Sequence, residues 1–184
     1  MYEPFHRLKF AVNSTYHEQM KSQLVKLMKQ KDVKKACVIY QDDEFGQEVL
    51  KGAEDALRSE NMTLTEKASF KRGATDFTQQ VGKLKAADCE LVVMGTIIRE
   101  TIGTIGTARK MGFNPVFLGT TAAYSDLIHK LGGKLVEGFY ATSTSQLPYS
   151  DSTSQPVRFW ASKYIIKFNE DPSVMSVAGY TSMD

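Results

Sequence analysis

The side chains best suited to chemistry form an acidic run, Asp42, Asp43 and Glu44, set directly after the apolar stretch Ala36–Tyr40. Carboxylates there can hold a cation or an ammonium group. They can equally accept hydrogen bonds from the free amides of a following helix, whose positive dipole end favours them. Thr96, Thr120 and Thr121 follow other apolar runs, and their hydroxyls either contact a ligand or close turns. His6, His17 and His129 lack a second ligand at metal spacing, so no metal is expected. Cys37 and Cys89 lie at or near the amino-terminal ends of strands that could be neighbours. A bridge between them is geometrically open, although free buried thiols are the commoner outcome. There is no serine elbow and no phosphate-binding loop. Acidic residues, not glycines, follow the first apolar run, and Gly103, Gly106 and Gly112 are misspaced within a helical pattern. The motifs for catalysis or a nucleotide cofactor are therefore missing, and neither an enzyme nor a cofactor is expected.

Elements that would position these residues are legible in the apolar periodicity. Ala36–Tyr40 predicts a strand, and Phe45, Val49, Leu50, Ala53, Ala56 and Leu57 a helix with one apolar stripe. Before it, Phe10, Ala11 and Val12 predict an extended lead-in. Thr15 and Glu18 then have capping-box spacing ahead of the stripe Tyr16, Met20, Leu24, Leu27 and Met28. A strand is expected over Thr63–Phe70, and a helix start at Asp76 with the stripe Phe77, Val81 and Leu84. The continuous run Leu91–Gly95 predicts a strand buried on both faces. A helix carrying Ile98, Ile102, Ile105 and Ala108 follows, ending near Gly112 and Pro115. Val116–Leu118 and Gly138–Thr142 are the last strands, separated by a loop at Gly119–Ala123 and a short helix at Tyr124–Leu131. The class is α/β, a Rossmann-like parallel sheet with helices on both faces, and such sheets bind ligands beyond the carboxyl ends of their strands.

Beyond the sheet the character changes. Ser143–Pro156 is rich in serine, threonine and proline, as in a crossing segment. Val157, Trp160, Ala161, Tyr164, Ile165 and Phe168 then define what reads as the strongest amphipathic helix, and Asp171 with Pro172 is expected to open another. These two helices have no strand of their own to cover, so their aromatic stripe calls for a surface supplied from elsewhere.

Bulk properties exclude several classes. The chain has 184 residues, with 23 lysines and arginines against 21 aspartates and glutamates spread along it. That balance provides no electrostatic footprint for nucleic acid or an anionic membrane. No apolar run approaches the roughly 20 residues of a membrane span. Met1–Leu8 lacks the apolar centre of a secretory signal, which leaves either a cytosolic protein or a mature or cut-down form.

Five segments, in order, resemble one family. They are Val38-Ile39-Tyr40-Gln41-Asp42-Asp43-Glu44-Phe45-Gly46-Gln47, Gly73-Ala74-Thr75-Asp76-Phe77, Leu91-Val92-Val93-Met94-Gly95, Ala108-Arg109-Lys110-Met111-Gly112 and Ala178-Gly179-Tyr180. Together they look like the leucine/isoleucine/valine-binding protein family, extracellular solute receptors of ABC importers with the type I periplasmic binding fold. The resemblance implies two lobes joined by three crossings, a small ligand captured between them, importer membrane subunits as partners, and a periplasmic or extracellular location. It implies that the chain is about half a receptor: 1–8 a hinge segment, 9–143 the second, ligand-binding lobe, 144–156 a crossing segment, and 157–184 helices of the first lobe.

Carried over residue by residue, the resemblance places ligand contacts at Phe45, at Thr96 and Ile97, and at Thr121 with neighbouring Ala122. Asp43 joins them if its loop turns inward. Two departures from the family pattern bear on the ligand. Phe45 keeps an apolar wall where many relatives have tyrosine. Thr121 stands where an ammonium-binding carboxylate is expected, and a hydroxyl cannot neutralise a buried ammonium. Amino acids and carboxylates or amides without an amine therefore both remain open. A ligand-sensing domain of a regulator or receptor with the same fold is the alternative role. A half-receptor is also expected to self-associate through its uncovered helices.

Overall fold

Alternating strands and helices account for residues 14–142. The computed structural model describes Arg7, Leu8 and residues 13–183, so the extended lead-in expected over Phe10, Ala11 and Val12, and most of the hinge segment 1–8, lie outside the described residues. The order is α1 (Tyr16–Lys31), β1 (Ala36–Gln41), α2 (Glu44–Arg58), β2 (Lys67–Phe70), α3 (Thr78–Ala86), β3 (Leu91–Gly95), α4 (Ile98–Lys110), β4 (Val116–Gly119), α5 (Asp126–Gly132) and β5 (Phe139–Ala141), with one-turn 3-10 helices at Thr121–Ala123 and Gly133–Val136. The five strands pair in parallel in the order β2-β1-β3-β4-β5. All of β3 is buried, matching its unbroken apolar run.

Each face of the sheet meets its own helices. Val38 and Val93 pack with Met20, Leu24, Val49, Ala53 and Leu57 of α1 and α2. Cys37, Ile39, Val92, Met94 and Phe117 pack on the opposite side with Val81 and Leu84 of α3 and Ile105 and Ala108 of α4. Alternate residues along each strand thus enter separate cores, the period of two expected of extended chain.

Helices α1 and α2 approach so closely that a Cβ at Gly52 would lie 2.4 Å from the carbonyl oxygen of His17. The contact is fixed laterally by polar groups. His17 Nε2 lies 2.8 Å from Asp55 Oδ2, and Arg58 Nη1 donates to Asp55 Oδ1 at 2.7 Å. The bond with His17, and the charge of Arg58 after it, hold the Asp55 carboxyl below the usual carboxylate range.

Several expectations are corrected. Cys37 and Cys89 are bridged and are not free thiols. Cys37 belongs to β1, and Cys89 lies two residues before its parallel neighbour β3, so the adjacency that the sequence left open is realised. The strand expected over Thr63–Phe70 is limited to Lys67–Phe70. It is an edge strand whose register with β1 starts at Lys67 opposite Val38, although the Thr65 N–H upstream already donates to the Ala36 carbonyl at 2.8 Å. Asp76 does accept from the N–H of Thr78 at 2.9 Å, but the helix starts at Thr78.

Residues 143–183, with Arg7, Leu8 and Asn13, fall in a separate compact unit. It carries α6 (Gln155–Phe168) and α7 (Val174–Met183). Ser173, not Asp171, caps α7, its hydroxyl accepting from the N–H of Ser176 at 3.3 Å. Helix α6 is less sharply two-sided than its stripe suggested, and α2 is the more amphipathic. Phe159 and Ile166 lie off the α6 stripe and are 62% and 84% exposed.

Two outcomes are expected. Under non-reducing denaturing conditions iodoacetamide should label neither cysteine, and the double variant Cys37→Ala/Cys89→Ala should lose about 2–4 kcal/mol in urea unfolding. A carboxylate held low contributes stability above its ordinary pKa of about 3.9 and loses it as the pH falls through the lower folded value. Urea midpoints should therefore decline less steeply with acidification below about pH 4 in Asp55→Asn than in the wild-type chain.

Candidate functional site

The strand order reverses direction between β1 and β3, so the loops leaving those two strands diverge and open a crevice at the carboxyl edge of the sheet. Register places Tyr40 beside Gly95 and Met94 beside Gly119. The segments that follow, Asp42–Phe45, Thr96–Ile97 and Thr120–Ala122, therefore emerge along one edge in that order. All the sequence-predicted site residues belong to it.

Their side chains are not equally available. Asp43 is the N-cap of α2: its Oδ1 accepts from the N–H of Gly46 at 3.1 Å, and its Oδ2 accepts from the Gln41 side-chain amide. Arg72 reaches to 4.0 Å of the same carboxylate. Gly46 is required here, because a Cβ would lie 1.8 Å from the carbonyl oxygen of Gln41. Phe45, half-buried in the first turn of α2, meets the ring of Tyr16 edge to face at 4.7 Å between centroids. Burial, and then the charge of Glu48, push the Tyr16 hydroxyl above its ordinary range, so it stays neutral beside that ring.

Thr96 is fully buried, its hydroxyl 2.6 Å from that of Thr101 on α4. Ile97 is 37% exposed. Thr121 and Ala122 are half-buried in the 3-10 turn after β4. The Thr121 hydroxyl accepts from Gln19 Nε2 at 3.1 Å, and its N–H donates to Gln19 Oε1 at 3.0 Å. Phe45, Ile97 and Ala122 thus give the edge apolar surface, whereas Asp43, Thr96 and Thr121 are engaged within the protein.

Two groups escaped sequence reasoning. Gln19, beside the apolar stripe of α1, is only 4% exposed. Glu100, Thr101 and Thr104 are buried on α4, with Glu100 Oε1 accepting from Arg99 Nη2 at 3.1 Å. A polar residue flanking an apolar stripe carries no mark of which neighbour will cover it. No group of three or more potential metal ligands occurs among the described residues.

The five-stranded parallel sheet with helices on both faces is one lobe-sized α/β unit. The chain belongs to the periplasmic binding protein family, whose description matches residues 3–184. It is 24% identical over 141 residues to the Leu/Ile/Val-binding protein homolog 7 of Brucella abortus, covering 75% of this chain and 35% of that protein. Among solved structures, a substrate-binding periplasmic protein from Ralstonia solanacearum matches at TM-score 0.79 and 22% identity, over 93% of this chain and 49% of that one. A leucine-binding protein from Thermotoga maritima matches at TM-score 0.79 and 17% identity, over 91% and 47%. A fatty acid ABC transporter substrate-binding protein from Thermomonospora curvata matches at 0.74 and 23%, over 88% and 42%. The chain thus spans about a third of the curated relative and about half of each of these structures. Its relatives are solute-binding proteins, not enzymes, and the family is periplasmic or extracellular.

Removing the Asp43 cap should cost about 1 kcal/mol, so Asp43→Ala should lower the urea midpoint while Asp43→Asn, which retains a capping oxygen, largely preserves it. Gly46→Ala should be the more damaging change, because its Cβ meets backbone that cannot move aside.

Proposed function

We propose that the chain is the ligand-closing lobe, with two helices of the companion lobe, of an ABC importer's substrate-binding receptor. In the parent protein it would capture a small organic molecule in the cleft between lobes and present it to the importer's membrane subunits. The observation that carries this reading is the shared edge, where the half-buried ring of Phe45 and the exposed Ile97 follow adjacent strands of a sheet whose fold is that of solute receptors. We infer a ligand with an apolar body and a carboxylate or amide. Thr121 offers no charge to an ammonium and is engaged with Gln19, and Asp43 is engaged as a helix cap. An extracytoplasmic location fits the Cys37–Cys89 bridge, since disulfides persist in oxidising compartments. No helix among the described residues is long and apolar enough to cross a membrane.

Helices α6 and α7 fit the same proposal. Phe159, Ile166, Phe168, Met175 and Tyr180 are more than half exposed, a surface that the remainder of a two-lobe receptor would cover.

Intact mass of the protein from its native source should be about twice that of this chain. Calorimetric titration of that intact receptor with L-leucine, phenylacetate, decanoate and acetamide should give binding to at least one, weakened roughly tenfold or more by Phe45→Ala. Equal masses, or no heat with any of the four, would count against the receptor reading. The isolated chain should bind weakly, because half a cleft forgoes the other half's contacts. Its sedimentation coefficient should rise with concentration as the uncovered helices pair.

A further inference from the structure

Gln19 uses the full hydrogen-bonding capacity of its amide on three separate segments. Oε1 accepts from the N–H of Thr121 at 3.0 Å and from the hydroxyl of Thr142 at 2.7 Å. Nε2 donates to the carbonyl of Ser14 at 3.0 Å and to the Thr121 hydroxyl at 3.1 Å. Ser14 and Thr142 are the first and last residues of the sheet unit, the points where the chain enters and leaves it. Thr142 is itself anchored to the sheet, its N–H donating to the Gly119 carbonyl at 3.0 Å. Just outside the unit the two chain segments are tied again, with Thr144 Oγ1 donating to Asn13 Oδ1 at 3.2 Å. A buried amide with every donor and acceptor paired is a stiff element, because releasing any one partner leaves a desolvated polar group.

We propose that Gln19 is a positioning residue that locks the loop after β4 to both ends of the chain crossing, so that movement at the crossing and movement of the loop are coupled. The inference rests on the receptor reading above, taking the loop of Thr121 and Ala122 as part of the ligand edge and the points where the chain enters and leaves the sheet unit as its hinge. A hinge is a few terminal residues that absorb backbone change. Here the same side chain that fixes those residues also holds the ligand loop, so opening the crossing strains the loop's two contacts to Gln19. Ligand seated against the loop would in turn favour one arrangement of the crossing.

Amide hydrogen exchange on the full chain without ligand tests the lock independently of any binding activity. In Gln19→Leu the Thr121 amide should exchange roughly tenfold faster, with protection at Val92–Met94 unchanged as proof that the sheet is intact. Gln19→Glu keeps the acceptor for Thr121 and Thr142 but lacks the donor. It should retain slow exchange at Thr121 while amide relaxation at residues 13–15 shows increased motion. Thr142→Val, a variant outside the helix, should loosen residues 142–144 and also hasten Thr121 exchange, the signature of coupling. Unchanged Thr121 exchange in Gln19→Leu, or Thr121 exchange unaffected in Thr142→Val, would overturn the proposal. If the lock holds in exchange while the intact receptor binds none of the four probes named above, it is the ligand assignment that falls.

Discussion

Strand β3 is removed from water along its whole length, and β1 beside it nearly so. Two adjacent strands buried on both faces need a helical layer on each side, and that requirement governs the rest of the unit. It explains the sharp apolar stripe of α2, the contact of α1 with α2 close enough to demand Gly52, and the separate cores that take alternate residues of each strand. It also leaves the carboxyl edge as the natural place for loops to meet solvent and ligand, because the faces are occupied.

At that edge most polar groups serve the protein before they can serve a ligand. Asp43 caps α2, Thr96 pairs with Thr101, and Thr121 pairs twice with Gln19. Apolar Phe45 and Ile97 keep accessible surface, the basis of the apolar-bodied ligand proposed above. The loops of the edge are accordingly held in place by bonds within the protein.

The second compact unit, residues 143–183 with the described amino-terminal residues, has a different physical balance. Among the described residues of α6 and α7 only Ala161 is buried, while large apolar side chains remain open to water. Aromatic pairs among Trp160, Tyr164, Phe168 and Tyr180 cover part of that surface, at centroid separations of 4.6 to 5.6 Å. The remaining surface and the half-length match to known structures have one common explanation in the proposed two-lobe parent.

Periodicity by itself determined the α/β class, the extent of β3 and, to within one residue, that of β1, and most of the buried apolar residues of α1 to α3, because a continuous or stripe-like apolar pattern has few ways to leave water. It also set Ile97, Thr121 and Ala122 just after strands and Phe45 at the start of the helix that follows β1. Tertiary structure decided what depends on partners distant in sequence. Cys37 meets Cys89 only once β1 and β3 pair. Gln19 becomes buried only when segments more than a hundred positions away close over it. Glu100 and Thr104 lie inward on a helix whose sequence could as well have turned them to solvent. A polar side chain's surroundings are set by whichever elements pack against it, and that information resides in the fold.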